Sequence, residues 1–460
     1  MTAPGILRVE GAQIMAGDRP VVLKGFGLGG WMNMENFITG YAGSESQHRR
    51  AMRRVLGEEG YERFFARFLD EFFTEEDASF LKSLGINSVR IPFNYRHFES
   101  DDEPFVMKQA GFGLLDRAVD ACARHGLYAI LDLHAVPGRQ NQHWHSDNPT
   151  QWAEFWAQRQ FQDRVVHLWE NLAEHCRGNP WVAGYNPVNE PGDVHGVAIG
   201  PFYRRLEAAV RAVDPDHILF LDGNRYSTQF DQLGDPLPNC VYTAHDYALP
   251  GFVDGGPYPG ISRGEFVDRD RVEETFLQRT AFMRETGTPI WVGEFGPVYT
   301  GDPHRDEQRR QLLADQLEIY DRHGASWALW TYKDIGLQGI VTVDPDSAYM
   351  RRIAVVLEKK ARLGADSWGS TDEGVRDVLE PIEQLFAREF PEFQPYPWGA
   401  RRWIHGHIRH VMIAEALTDE FAQAFEGVTP VEAERLADAF SLRNCLIRDE
   451  LATIIRRAAR

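Results

Sequence analysis

The chain has 460 residues, longer than one average domain, and one barrel with an extension accounts for it. Its 43% hydrophobic and 25% charged residues are those of an ordinary soluble globular protein. The formal net charge of −19 argues against nucleic acid or an anionic membrane as the main partner and fits a neutral substrate better. With 12 Trp, 15 Tyr and 28 Phe, rings for stacking on sugar faces are plentiful, although many belong to the core. The start shows no basic residues followed by an apolar run, and no stretch is apolar enough to span a bilayer. Neither a signal peptide nor a membrane span is therefore expected. Cys122, Cys176, Cys240 and Cys445 are widely spaced and form no CxxC pair, so reduced core thiols and a cytoplasmic location are the expectation.

In chain order, residues 7–11 and 13–15 read as a small hairpin that closes the bottom of a barrel. Residues 21–27 are apolar and β-branched, a first strand. A long connection, 28–64, carries Trp31, Asn33, Glu35, Asn36 and Tyr41. A connection of that length reads either as a substrate wall or as an insertion whose aromatics form their own core. A helix over 75–84 leads to a second strand at 88–93, where Arg90 is a charge inside an apolar run and needs a partner. A helix over 112–124 precedes a third strand at 127–134 with His134 at its tip, and the loop beyond holds Gln140, Asn141, His143, Trp144 and His145. A helix over 153–175 leads to the fourth strand, 181–189, which ends at Asn189-Glu190 because Pro191 cannot donate and Gly192 permits a sharp turn. After a helix over 203–213, strands follow at 218–222 and 240–247. A Gly- and Pro-rich loop over 250–260, with Phe252, Asp254 and Tyr258, has the character of a lid. A helix over 269–286, a strand at 289–294 ending in Glu294, a helix over 306–323 and a strand at 326–332 complete the pattern.

Eight apolar strands alternating with amphipathic helices predict an α/β fold of the (β/α)8, or TIM-barrel, type. A doubly wound open sheet competes, but the count of eight and the lack of a Gly-rich phosphate loop disfavour it. Residues 1–364 are assigned to the catalytic barrel and 365–460 to a helical C-terminal extension packed on it. In the extension, 372–386, 401–417, 431–440 and 443–457 read as helices and no strand-like run is seen. Thr429-Pro430-Val431-Glu432 is a helix start, with a Thr cap and Pro at the first helical position.

Two glutamates at strand tips on opposite sides of a barrel mouth are what glycoside hydrolysis requires. One protonates the leaving oxygen and the other attacks the anomeric carbon. Two adjacent like charges are expected to push one carboxyl upward, toward the acid form. His143 and His145 alternate on an extended chain and read as sugar contacts or a metal pair, although no third ligand is evident. No GxSxG elbow is present.

The marks in order are Arg90 in Val-Arg-Ile-Pro, His134 in Leu-Asp-Leu-His, Asn189-Glu190 in Asn-Pro-Val-Asn-Glu-Pro, His245-Asp246-Tyr247, Glu294 in Val-Gly-Glu-Phe-Gly, and Trp330. With this set over roughly 21–332, the chain resembles the retaining β-glycoside hydrolases of family 5, the cellulase-like family within the clan of (β/α)8 glycosidases. The resemblance implies Glu190 as acid/base and Glu294 as nucleophile, with Arg90 and Tyr247 holding Glu294. It further implies Asn189 on the sugar 2-hydroxyl, His134 and His245 as orienting groups, and Trp330 stacked under the sugar. Trp31 and Trp144 are further candidates for substrate contact. No metal and no organic cofactor is expected. Carbohydrate is the expected partner, and oligomeric state is left open. The large loops and the extension depart from a minimal open cleft and favour a pocket, hence exo-action on small glycosides or oligosaccharides. An endo-β-glucanase or mannanase, a transglycosylase and a non-catalytic carbohydrate-binding barrel are the alternatives. The pair of carboxylates with Arg90 and Tyr247 weighs against the last.

Overall fold

The computed structural model describes residues 5–248, 256–262, 264–366 and 368–460. Eight parallel strands close into a barrel in sequence order: β1 Lys24–Gly27, β2 Ser88–Asn94, β3 Tyr128–Ala135, β4 Val182–Asn186, β5 Ile218–Asp222, β6 Cys240–His245, β7 Ile290–Phe295 and β8 Ser326–Leu329. These strands are buried along almost their whole length, as a sheet covered by helices outside and by its own side chains inside must be. Leu23, Ile130, Ala183, Phe220, Val241, Trp291 and Ala328 fill the barrel's lower interior, and Leu7 and Ile14 of the N-terminal hairpin join the same cluster. The hairpin strands Leu7–Glu10 and Gln13–Ala16, extended by Arg19–Val21, thus plug the end opposite the strand tips.

The fourth strand is shorter than its sequence reads. It stops at Asn186, not Asn189, because Pro187 has no N–H to continue the ladder. Asn189 and Glu190 therefore stand on a bend above the barrel. Glu190 takes a left-handed backbone, φ 46°, a conformation costing about 1–3 kcal/mol for a non-glycine residue. The bend is held by the Glu190 N–H donating to Asp222 Oδ2 at 2.9 Å and by Asn141 Nδ2 donating to the Glu190 carbonyl at 3.0 Å.

The long first connection is mostly a 27-residue helix, Glu45–Glu71, opened by a capping box between Ser44 and Gln47 and kinked at Gly57. The extension packs on this helix. Helices Ala414–Gln423 and Pro430–Ala437 both lie against it, while Asp449–Ala458 packs on the barrel helix Pro303–Arg322. Phe440 meets Phe68 edge-on at 4.9 Å, and Phe421, Phe425 and Ile455 belong to the same apolar cluster as the barrel helices. The Thr429 cap forms as its sequence requires, with Glu432 N donating to Thr429 Oγ1 and Thr429 N donating to Glu432 Oε2. One expectation for this region fails: Cys445–Ile447 is a strand. It pairs antiparallel with Val341–Val343, a run too short to carry a sequence signal. Of the loop read as a lid, 249–255, with Phe252 and Asp254, lies outside the described residues. Tyr258 does not face the mouth: it is buried, and its hydroxyl donates to Asp315 at 2.6 Å. No described helix is long and apolar enough to cross a membrane.

Candidate active site

The site grows from Arg90, which the middle of β2 places inside the barrel mouth with no exposed surface. A buried guanidinium must spend its donors on protein, and this one does. Nη1 donates to Glu294 Oε1 at 2.5 Å, Nη2 to Asn189 Oδ1 at 2.6 Å and to Asn186 Oδ1 at 2.9 Å, and Asp132 Oδ2 lies 3.1 Å away. One cation thus ties together the tips of four strands. Tyr247 donates its hydroxyl to the other Glu294 oxygen at 2.9 Å, so both oxygens of that carboxylate are held.

Glu190 sits opposite. His245 Nδ1 lies 2.7 Å from its Oε1, and His145 Nε2 lies 3.1 Å from its Oε2. His245 Nδ1 is also 3.5 Å from Glu294 Oε2. An oxygen of Glu190, an oxygen of Glu294 and a ring nitrogen of His245 all fall within 4.8 Å of one another. The expectation of an acid raised by like-charge repulsion needs correction here. Burial pushes Glu190 upward, but hydrogen bonds from His145 and His245 outweigh it and hold the carboxyl well below the usual carboxylate range. His245 moves the other way: burial opposes its charge, but Glu294 and Glu190 beside it raise it.

Trp330 forms one wall. Its indole lies parallel to His134, with ring centres 5.3 Å apart, and against Gly27 and Gly29 of the first strand and its exit. A Cβ at Gly27 would approach the indole to 2.5 Å, so glycine there makes the ring's place. His134 is anchored by Asp132, 2.8 Å from Nδ1, and Asn189 Nδ2 stands 3.2 Å from its Nε2. Glu190, Glu294, His134, His245, Tyr247 and Trp330 open on one cavity of ≈ 1180 Å³.

Of the sequence candidates, Arg90 and Asn189 lie buried just beneath that cavity, and two tryptophans do not reach it. Trp31 is fully buried, donates its indole N–H to Leu69 O at 2.9 Å and packs beside Phe73, so it is core of the first insertion. Trp144 is buried beneath His143, rings parallel at 5.1 Å, with His410 edge-on. It supports the wall without lining it. The His143 ring packs between Trp144 and Trp398, and among the described residues it belongs to no cluster of three possible metal ligands. Asp372, Glu383 and His405 also converge within 4.8 Å, but Arg376 Nη1 donates to both carboxylates at 2.9 Å and supplies the positive charge the trio needs.

Other lining residues were not singled out from sequence. Tyr226 comes from the turn after β5 with no family mark, and Trp368, Tyr396, Trp398 and Arg402 come from the extension. The Pro- and aromatic-rich composition of 391–398 was the one available signal. Glu35 of the first connection is 3% exposed, lines the cavity, and has Oε1 3.4 Å from His134 Nε2.

A (β/α)8 barrel with two facing carboxylates at its mouth defines a glycosidase-type site. The family model described as "Cellulase (glycosyl hydrolase family 5)" matches residues 54–336, and the chain belongs to that family. It is similar to a β-xylosidase from Phanerodontia chrysosporium, 45% identical over 465 residues, covering 98% of this chain and 97% of that protein. It is also similar to endoglucanase C from Acetivibrio thermocellus, 23% identical over 60% of this chain and 89% of that one. A solved endogalactoceramidase shares the fold, with a TM-score of 0.53 at 19% identity, covering 72% of this chain and 75% of that one. The chain is thus a glycoside hydrolase acting on carbohydrate.

Proposed function

We propose that this protein is a retaining, exo-acting β-glycosidase that releases a single terminal sugar, a β-linked pentose of the xylose type, from small glycosides. The observation that carries the reading is the approach of Glu190 and Glu294 oxygens within 4.8 Å. Retaining enzymes hold their carboxyls about 5–5.5 Å apart, whereas inverting ones need about 6.5–9.5 Å to admit a water. In the proposed reaction Glu294, aligned by Arg90 and Tyr247, attacks the anomeric carbon. Glu190 takes a proton from His245 through the 2.7 Å contact and passes it to the leaving oxygen, which leaves it a carboxylate. Glu190 then takes a proton from the water that releases the sugar. Asn189 is assigned to the sugar 2-hydroxyl and Trp330 to the sugar face.

Exo-action is supported by the walls around the pair, which come from the first connection, the loops after β3 and β5, and the extension together. The choice of a pentose is supported by the near full-length likeness to a β-xylosidase. The test is a panel of aryl β-xylosides, glucosides, galactosides and mannosides with the product anomer followed by NMR, beside Glu190→Ala and Glu294→Ala. Release of the β-anomer from the xyloside, loss of turnover by at least about 10³-fold in Glu294→Ala, and azide rescue of Glu190→Ala on an activated substrate are expected. Initial release of the α-anomer, or preferred cleavage inside a polymer with short glycosides untouched, would overturn the assignment.

A further inference from the structure

We propose that Trp398 of the C-terminal extension is the platform of the leaving-group subsite, taking the ring of the sugar or aryl group that departs. The proposal rests on the glycosidase reading above and adds a residue outside the stretch that carries the family match, which ends at 336.

Three observations place it. Trp398 is 43% exposed although it lines the cavity, whereas Tyr226 and Trp330 are buried there and Tyr247, Trp368 and Tyr396 are half-buried. It is backed by Tyr226, ring centres 4.7 Å apart, and by His143 at 5.1 Å, so the ring has a support on its protein side. It stands on the Glu190 side of the mouth, since His145, 3.1 Å from Glu190, is the neighbour of both His143 and Tyr226. The acid/base carboxyl faces the leaving oxygen, so an aromatic surface beside it meets the departing group rather than the sugar that is retained.

The segment is tied down as a positioned wall needs to be. Arg225 Nη2 donates to Pro397 O at 2.8 Å, and Tyr396 Oη donates to Asn224 Oδ1 at 3.3 Å. Tyr226 Oη donates to Gln142 Oε1 at 3.1 Å. The loop after β5 thus grips the extension at the two residues before the ring. A sugar or aryl ring is apolar on its face and finds an indole there. A fluoride leaving group does not.

The experiment compares β-xylosyl fluoride with xylobiose on wild type, Trp398→Ala and Trp398→Phe. Turnover of the fluoride by wild type tests the glycosidase reading, and the ratio between substrates tests the platform. Trp398→Ala is expected to lower kcat/KM for xylobiose about tenfold while leaving the fluoride within about twofold, with Trp398→Phe in between. No loss on either substrate overturns the proposal. Should Trp398→Ala lose both together, Trp398→Leu, which keeps bulk without a ring face, repeats the comparison. Selective loss of xylobiose then supports the platform and equal loss rejects it.

Discussion

The barrel mouth and the extension each gather arginine, histidine and two carboxylates, but in opposite surroundings. Around Arg90 the ionised groups are buried and each is aimed by another. Around Glu383, the residues Asp372, Arg376, Arg401 and His405 sit in a partly exposed cluster with side chains up to 66% accessible. In the first setting, low dielectric makes a misplaced charge costly, so geometry is rigid and catalysis can use it. In the second, water and salt screen the pairs, and they contribute little beyond local order. The same residue types therefore make a reaction centre in one place and a fastening in the other.

Removing the hub of the buried cluster should have the largest effect. Arg90→Ala leaves Glu294 and Asp132 as uncompensated buried carboxylates and is expected to cost about 3–5 kcal/mol, with turnover abolished. Denaturant unfolding beside kcat reads both, and an unchanged midpoint would break the contrast. A smaller loss is expected from Glu35→Ala. Burial pushes this carboxyl upward, and Oε1 has only the long contact to His134 to satisfy it, so it is disposed to bond a sugar hydroxyl. kcat/KM for an aryl xyloside should fall about 10–100-fold, with Glu35→Gln retaining much more because it preserves hydrogen bonding. Equal activity in wild type and Glu35→Ala would remove Glu35 from the subsite.

The exposed cluster should respond to pH instead. Burial raises Glu383, but the hydrogen bonds from Arg376 and His405 and the charges of Arg401 and Arg376 together outweigh it and bring the carboxyl down to about 2 from an ordinary 4.5. A folded-state value below the unfolded one stabilises above pH 4.5, and that contribution is lost as pH falls toward about 2. Hydrogen-exchange protection of 376–405 should therefore decline on acidification before that of the barrel strands. Glu383→Gln should remove the pH dependence while leaving the barrel's protection unchanged. Parallel loss in both regions would show that the two unfold as one unit.

Much of the barrel was legible because period and punctuation are local. All eight strands fall within apolar runs of the sequence, and Arg90, Glu190 and Glu294 stand out as charges within or just after such runs. The misreadings share one cause. Trp31 and Trp144 have the same composition as a substrate-binding tryptophan, and only the helix Glu45–Glu71 and the stack under His143 show that their faces are already used. Asn189 was placed at a strand tip because the run looked continuous, whereas Pro187 ends the ladder three residues after Gly184. The strand Cys445–Ile447 exists only because Val341–Val343 offers it an edge.

By itself, then, the amino-acid order determined the alternation of strand and helix, the plug at the barrel's lower end and the choice of Glu190 and Glu294 as the candidate pair, since each depends on neighbours within a few residues. Tertiary structure alone decided which groups surround Glu190 and His245, which aromatics face the cavity and that the extension supplies part of its wall. Those properties depend on groups separated by up to several hundred residues. Burial, charge and stacking act through distance in space, and the chain must fold before that distance exists.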